Sequence, residues 1–267
     1  MNTNHGETAL LLAAGLGTRL APLTNHVPKC LAPIAGRPLL AYWLDSLACA
    51  GFKRIVINTH YLSDRVHAYV RDLGNALCVE LVHEPVLLGT AGTVWHQREL
   101  FERAPVLVAH ADNLTNVDLR ALMHAHEARP TDCVMTMLTF EAPDPSACGM
   151  LEVDAQGIVR SFQEKPVNPH GTRANGAVYV FGQEVVQLIG QLGVPPLDLS
   201  TQVIPQLIGR IATYHHEGLH RDIGTPQAWR AAQYEWPARQ GSCGALTDVH
   251  QLGLVRKGMR QTGCGRN

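Results

Sequence analysis

The chain has 267 residues, with 22 basic and 23 acidic side chains and a formal net charge of −1. Hydrophobic residues make up 46% and charged residues 17%, a globular composition that excludes a disordered chain. Near-neutral charge excludes a general nucleic-acid binder, and the length suffices for one large domain with a substantial core.

Seven cysteines are odd in number and no two stand as C-x-x-C, which predicts reduced thiols in a cytoplasmic protein. The apolar run Ala9 to Ala14 is too short to cross a bilayer and no basic segment precedes it, so neither membrane insertion nor a secretory signal is expected.

Residues 8–13 read as a short buried strand, followed by a Gly/Pro-punctuated loop from Ala14 to Arg37. Pro38 suits the first position of a helix whose apolar stripe is Leu39, Leu40, Trp43, Leu44 and Leu47, ended by Gly51. A strand at 54–58 and a helix capped by Ser63 come next. A strand at 77–82, a helix near 92–101, a strand at 105–110 and a helix at 117–128 continue the alternation. Strands apolar on both faces, alternating with helices, predict an α/β fold: a doubly wound, Rossmann-like, mainly parallel sheet with helices on both faces.

After residue 130 the pattern changes to strand-like segments with short turns (131–140, 149–154, 157–162, 176–181), predicting a small mixed-sheet extension. Helices are expected at 183–191, 200–208 and 226–235, the last opened by Thr225 and Pro226, with a strand near 210–216. Residues 1–237 are thus expected to form one domain. Residues 238–267, with five basic residues against one acid, are read as a loosely ordered or accessory tail.

The most informative segment is residues 13–40. Gly15 and Gly17 directly follow a strand, where backbone N–H groups can approach a phosphate unhindered by a Cβ, at the strand ends where open α/β sheets bind ligands. Arg19, Lys29 and Arg37 add cations, and no acidic residue occurs from Thr8 to Leu44, a pattern suited to an oligophosphate. The dinucleotide fingerprint fails because Leu20 stands where its third glycine belongs, and the P-loop pattern is absent.

The run G-L-G-T-R-L-A-P-L-T followed by P-K-C-L-A-P-I-A-G-R-P-L-L resembles the signature of the sugar-1-phosphate nucleotidyltransferases. The likeness continues through residues 88–93, 111–113, 164–166, 175–179 and 222–226, and so covers about 8–230. It implies an enzyme that joins a nucleoside triphosphate to a sugar 1-phosphate, releasing pyrophosphate. It also implies Mg²⁺ as cofactor, homo-oligomers, and a role in nucleotide sugars for surface polysaccharide.

By the same resemblance, Arg19 holds the triphosphate, Lys29 the α-phosphate, and Ala14, Gly15, Gly17 and Thr18 line the nucleotide. Asp112 and Asp222 are the expected metal ligands, a hard oxygen pair suited to Mg²⁺. Asn113, Gly149, Glu164, Lys165 and Asn175 are expected at the sugar phosphate. Glu84, Gly89 and Gly92 match the base-reading stretch; guanine's adjacent N1–H and N2–H₂ suit a carboxylate, so GTP is favoured, with a mannose- or heptose-type acceptor. Ala111 departs from the glycine many relatives carry before the metal aspartate, which adds a methyl group near the phosphates.

Two readings from other classes accompany this one: a catalytically silent nucleotide-sugar-binding subunit, and a cytidylyltransferase acting on a non-sugar alcohol phosphate. His216-Glu217-Gly218-Leu219-His220 also fits the zinc-protease pattern, but Gly218 and the strand-like residues before it argue against the helix which that chemistry needs.

Overall fold

The structure, a computed structural model, describes residues 7–74 and 77–238; residues 239–267 of the expected C-terminal tail lie outside these. In chain order the elements are β1 (Thr8–Leu12), β2 (Pro33–Ile34), β3 (Arg37–Pro38), α1 (Leu39–Ala50), β4 (Arg54–Thr59), α2 (Ser63–Asp72), β5 (Val79–His83) and α3 (Thr90–His96). Then come β6 (Val106–His110), β7 (Asn113–Thr115), α4 (Leu119–Glu127), β8 (Met135–Glu141), β9 (Gly149–Val153), β10 (Val159–Glu164) and β11 (Arg173–Phe181). The last are α5 (Gln183–Gln191), β12 (Ile211–His216), β13 (His220–Asp222) and α6 (Pro226–Ala238).

Strands β5, β4, β1 and β6 run parallel, with Leu10 of β1 opposite Val56 on one side and Val108 on the other. Antiparallel β11 follows, then β8 and β12, which are parallel to each other. The β9–β10 hairpin joins the start of β11 through Met150 and Ala174, forming the predicted extension.

The period-two alternation of strand side chains explains why these strands are apolar on both faces. Ala9 and Leu11 face a core with Leu40, Trp43 and Leu47 of α1, Leu122 of α4 and Trp236 of α6. Leu10 and Leu12 face a second core with Val94 of α3, Val185 and Ile189 of α5, and Leu199. A side chain such as Leu10, wholly withdrawn from water, contributes about 1.5–3 kcal/mol. With both faces covered, the loops at strand ends remain the place for polar chemistry.

Several boundaries differ from the sequence reading. Pro38 is the extended cap before α1, and Ser63 is the first helical residue of α2, preceded by Leu62 in the left-handed region. The expected helix at 200–208 is instead a π turn, Leu199–Val203, followed by a 3₁₀ turn, Ile204–Leu207, because Pro205 has no N–H for an α-helical bond. The helix near 92–101 breaks at Gln97 into α3 and a 3₁₀ turn. Cys30, Cys78, Cys133 and Cys148 are free thiols. Among the described residues no helix is long and apolar enough to cross a membrane.

Candidate active site

The loop after β1 is pinned at its start, where Ala13 N donates to Asn58 Oδ1 at 2.6 Å. Asn58, near the end of β4, in turn donates to Glu84 Oε1 at 2.9 Å, linking the carboxyl ends of β1, β4 and β5. Gly17 adopts φ +65°, and a Cβ there would lie 2.9 Å from the Thr24 methyl and 3.3 Å from Lys29 Cβ, so only glycine fits. Thr24 Oγ1 donates to Gly17 O at 2.8 Å and locks the turn. Gly15 has open space around its missing Cβ, and Gly15, Thr18 and Arg19 are exposed, whereas Ala14 is buried.

Asp112 follows β6 at its carboxyl end; Ala111 N bonds Leu12 O and Ile223 N bonds Asp112 O. Asp222 ends β13, opposite Asn113 of β7. Both carboxylates converge on Lys29 Nζ, which donates to Asp112 Oδ2 at 2.6 Å and Asp222 Oδ1 at 2.7 Å. The Lys29 side chain is only 9% exposed. Burial opposes its charge, but the two carboxylates outweigh burial and hold its pKa above the ordinary lysine value. Burial likewise works against ionised Asp112, and Lys29 first, then His110, more than reverses it, so that carboxyl titrates below its usual range.

Arg19 stands at the rim, 60% exposed, with Nη2 3.7 Å from Asp222 Oδ2. Gly224 closes the cluster from behind: a Cβ there would lie 2.9 Å from both Asp222 Oδ1 and Lys29 Nζ.

On the acceptor side, Gly149 of β9 lies opposite Glu164 of β10, and a Cβ at Gly149 would come within 2.8 Å of Glu164 Oε2. Lys165 follows in the left-handed region; its N–H donates to Cys148 O at 3.1 Å and its Nζ lies 3.4 Å from Glu164 Oε1. Asn175 sits where the β11–β8 register shifts, its carboxamide fixed at both ends: Nδ2 donates to Tyr179 OH at 2.8 Å and Oδ1 accepts Ala177 N at 2.9 Å. Burial first, then the carboxylates of Asp222, Asp144 and Glu164, pushes the Cys148 thiol up to about 11. Cys148 thus lies within electrostatic reach of both the Asp222 cluster and Glu164.

Not every expected residue reaches the cleft through its side chain. Asn113 is buried, donating to Gly176 O at 3.3 Å, while its carbonyl accepts Trp43 Nε1. Glu84 is 3% exposed; Oε1 accepts Asn58 Nδ2 and Thr93 Oγ1, and Oε2 has only a 3.4 Å contact from Leu88 N. The amide of Gly92 is taken by Leu197 O at 3.2 Å, and a Cβ at Gly89 would sit 2.3 Å from that same carbonyl.

The zinc-protease pattern dissolves into a strand–turn–strand. His216 ends β12 and bonds Asn116 Oδ1, His220 is buried in β13, and no group of three metal-binding side chains occurs among the described residues. Sequence reasoning missed Asn58 and Gly224; a polar residue ending the apolar strand RIVIN was the available signal for Asn58.

A family model described as nucleotidyl transferase matches residues 8–238. The chain belongs to this family. Similar nucleotidyl transferases include the mannose-1-phosphate guanylyltransferase of Mycobacterium tuberculosis, 31% identical over 84% of this chain and 62% of that one. Another is the mannose-1-phosphate guanylyltransferase catalytic subunit beta of Drosophila pseudoobscura, 28% identical over 84% of this chain and 60% of that one. The chain therefore spans about three fifths of the length of these curated relatives.

Among solved structures, HddC from Yersinia pseudotuberculosis complexed with GMP-PN superposes with TM-score 0.71 at 22% identity, covering 86% of this chain and 99% of that one. A Bacillus anthracis protein described as a glucose-1-phosphate thymidylyltransferase gives TM-score 0.77 at 19% identity, covering 90% and 97%. At these identities the structures establish the shared fold, a mixed, mainly parallel sheet covered by helices.

Proposed function

We propose that the chain transfers a nucleotidyl group from a nucleoside triphosphate, with GTP favoured, to a sugar 1-phosphate of mannose or heptose type. The products are a nucleoside-diphosphate sugar and pyrophosphate, made in the cytoplasm for surface polysaccharide. The observation that carries this reading is the convergence of Asp112 and Asp222 on Lys29, beside Arg19 and the glycine loop. The GTP preference draws support from the names of the relatives.

A sugar phosphate oxygen attacks the α-phosphorus, a new P–O bond forms, and the bond from the α-phosphorus to the bridging oxygen breaks. A phosphate monoester loses its second proton near pH ~6, so the nucleophile is already a dianion and no general base is needed. Arg19 neutralises charge on the departing pyrophosphate, and Lys29 does so at the α-phosphate. Lys165 holds the acceptor phosphate while Glu164 and Asn175 receive sugar hydroxyls, aligning the attack.

The donor set fits Mg²⁺: two carboxylates reach one point, and this ion is commonly held by one or two carboxylates plus substrate phosphates. Asp112 and Asp222 would hold it, and when bound it supplies charge neutralisation at the phosphates. Lys29 must then exchange its carboxylate partners for phosphate oxygens.

The test is pyrophosphate release by purified protein with Mg²⁺, over a grid of four triphosphates and several sugar 1-phosphates. Turnover with GTP and mannose or heptose 1-phosphate is expected. Turnover only with CTP and a non-sugar alcohol phosphate, or nucleotide-sugar binding without any turnover, replaces the reading.

A further inference from the structure

One polar side chain stands in an apolar row of the sheet. Strand side chains alternate, so Asn58 of β4 shares the face on which Val56 packs with Leu10, Leu12 and Val94. Asn58 is buried, and in the sheet register it lies between Leu12 of β1 and Val82 of β5. A buried carboxamide is tolerated where its groups are hydrogen-bonded, and Asn58 meets that condition. Its Oδ1 accepts Ala13 N at 2.6 Å, and its Nδ2 donates to Glu84 Oε1 at 2.9 Å and to Thr93 Oγ1 at 3.0 Å.

Thr93 of α3 closes the circuit, since its hydroxyl donates to the same Glu84 Oε1 at 2.6 Å. Glu84 and Thr93 are buried as well. The donors and acceptors allow one orientation of the carboxamide. Turned over, it would set its NH₂ against the Ala13 N–H and its oxygen against a carboxylate. Asn58 thus holds the start of the phosphate loop with one end, and Glu84 and α3 with the other.

We propose that Asn58 is a positioning residue for the nucleoside triphosphate. It fixes the spacing between the loop after β1, which meets the phosphates, and the 84–93 stretch, which meets the base. The inference rests on the transfer reading above, because that reading assigns the two stretches to the two ends of one substrate. The physical gain is preorganisation. A ligand that spans both stretches binds without first bringing them into register, whereas a fragment that meets only one gains nothing from the link. Thr93 serves the same link from α3.

The experiment is steady-state kinetics on the full chain, varying each substrate separately, with inorganic tripolyphosphate as inhibitor and thermal melting of every variant. Asn58→Asp is close to isosteric: it keeps the acceptor for Ala13 N and turns the donor facing Glu84 into a like charge. It should raise KM for the triphosphate about tenfold or more, with kcat within about threefold and KM for the sugar 1-phosphate within about twofold. Inhibition by tripolyphosphate, which meets only the phosphate loop, should stay within about twofold. Thr93→Val removes the hydroxyl at nearly constant volume and should also raise the triphosphate KM, whereas Thr93→Ser should restore it. The double variant Asn58→Asp, Thr93→Val should lose less than the product of the two singles, because both release the same Glu84 oxygen.

Equal weakening of nucleoside triphosphate and tripolyphosphate, parallel rises in both KM values, or an unchanged triphosphate KM at any melting temperature overturns the inference while leaving the transfer reading standing. Effects of the two substitutions that simply multiply, or a Thr93→Ser variant as impaired as Thr93→Val, do the same. Should Asn58→Asp fail to fold, the two Thr93 variants decide on the same readouts. Wild-type protein inactive with every substrate pair overturns both.

Discussion

Asp222 pairs with Asn113 across the short β7–β13 ribbon, and this register carries a carboxylate from late in the chain to the side of Asp112. The neighbouring Ile223 amide then bonds the Asp112 carbonyl, so the two acids are tied through the backbone as well as through Lys29. Two like charges brought together this way repel, and the Lys29 ammonium between them offsets that repulsion when no substrate is present. A polyphosphate with its cation offers the same compensation from the other side.

Asp222→Asn should therefore abolish most transfer while leaving the fold in place, because its side chain is half exposed and Asp112 remains for Lys29. A fall of at least about 100-fold in pyrophosphate release is expected, in line with loss of a group that stabilises developing charge. Excess chelator should remove activity from the wild type and added Mg²⁺ should restore it. Full activity in chelator would sink the assignment of Asp112 and Asp222 as metal ligands.

Arg19 makes a looser contact, 3.7 Å to Asp222, and most of its side chain faces solvent. Arg19→Ala should leave the melting temperature unchanged within about one degree, since exposed ion pairs contribute little. The same variant should lose about 100-fold or more in kcat, because its cation is needed where charge develops on pyrophosphate. A change in stability with normal kcat would place Arg19 in the scaffold instead.

The glycines of the two loops serve different ends. At Gly89 the backbone (φ +76°, ψ +166°) is one that essentially only glycine adopts, and a Cβ would overlap Leu197 O. Gly89→Ala should cost about 3 kcal/mol or more in chemical denaturation, combining strain with overlap. Gly15 has no neighbour within 4 Å of a Cβ. Gly15→Ala should stay within about 0.5 kcal/mol of wild type yet raise the triphosphate KM roughly tenfold. Equal stability of the two variants would contradict the packing at Leu197.

The sheet order was not readable from the sequence, but the layered class was, because both-face burial in β1, β4 and β6 leaves an unmistakable apolar pattern. The β7–β13 ribbon was not, since three residues per strand are too few to show a period. At the site, Arg19 and Lys29 are legible as cations in a glycine-punctuated loop free of acids, whereas Asp112 and Asp222 are singled out only by the resemblance to the nucleotidyltransferase signature, because a lone aspartate at a strand end also serves as a loop cap. Glu84 and Asn113 were expected to meet ligand through polar side chains. Their partners Asn58 and Gly176 are distant in sequence, and only folding reveals that these groups are engaged internally.

His126 offers a test of the fold independent of catalysis. Its ring is buried, with Nδ1 3.0 Å from Thr136 Oγ1 and no partner at Nε2. Burial foremost, then the Arg129 cation, lowers its pKa to about 4 from an ordinary 6.5. Between these values the unfolded chain binds a proton that the folded chain refuses. The contribution of neutral His126 is thus complete above pH 6.5 and is lost as pH falls through about 4. His126→Asn removes the titration while keeping a polar group near Thr136. Its unfolding free energy, measured in denaturant at several pH values from about 4.5 to 6, should fall less steeply than wild type by about 1.4 kcal/mol per pH unit. His216 and His220, whose pKa values are also lowered, remain in both proteins, so their effect cancels in the difference. Identical slopes would mean that His126 accepts its proton in the folded state and is not held neutral by the core.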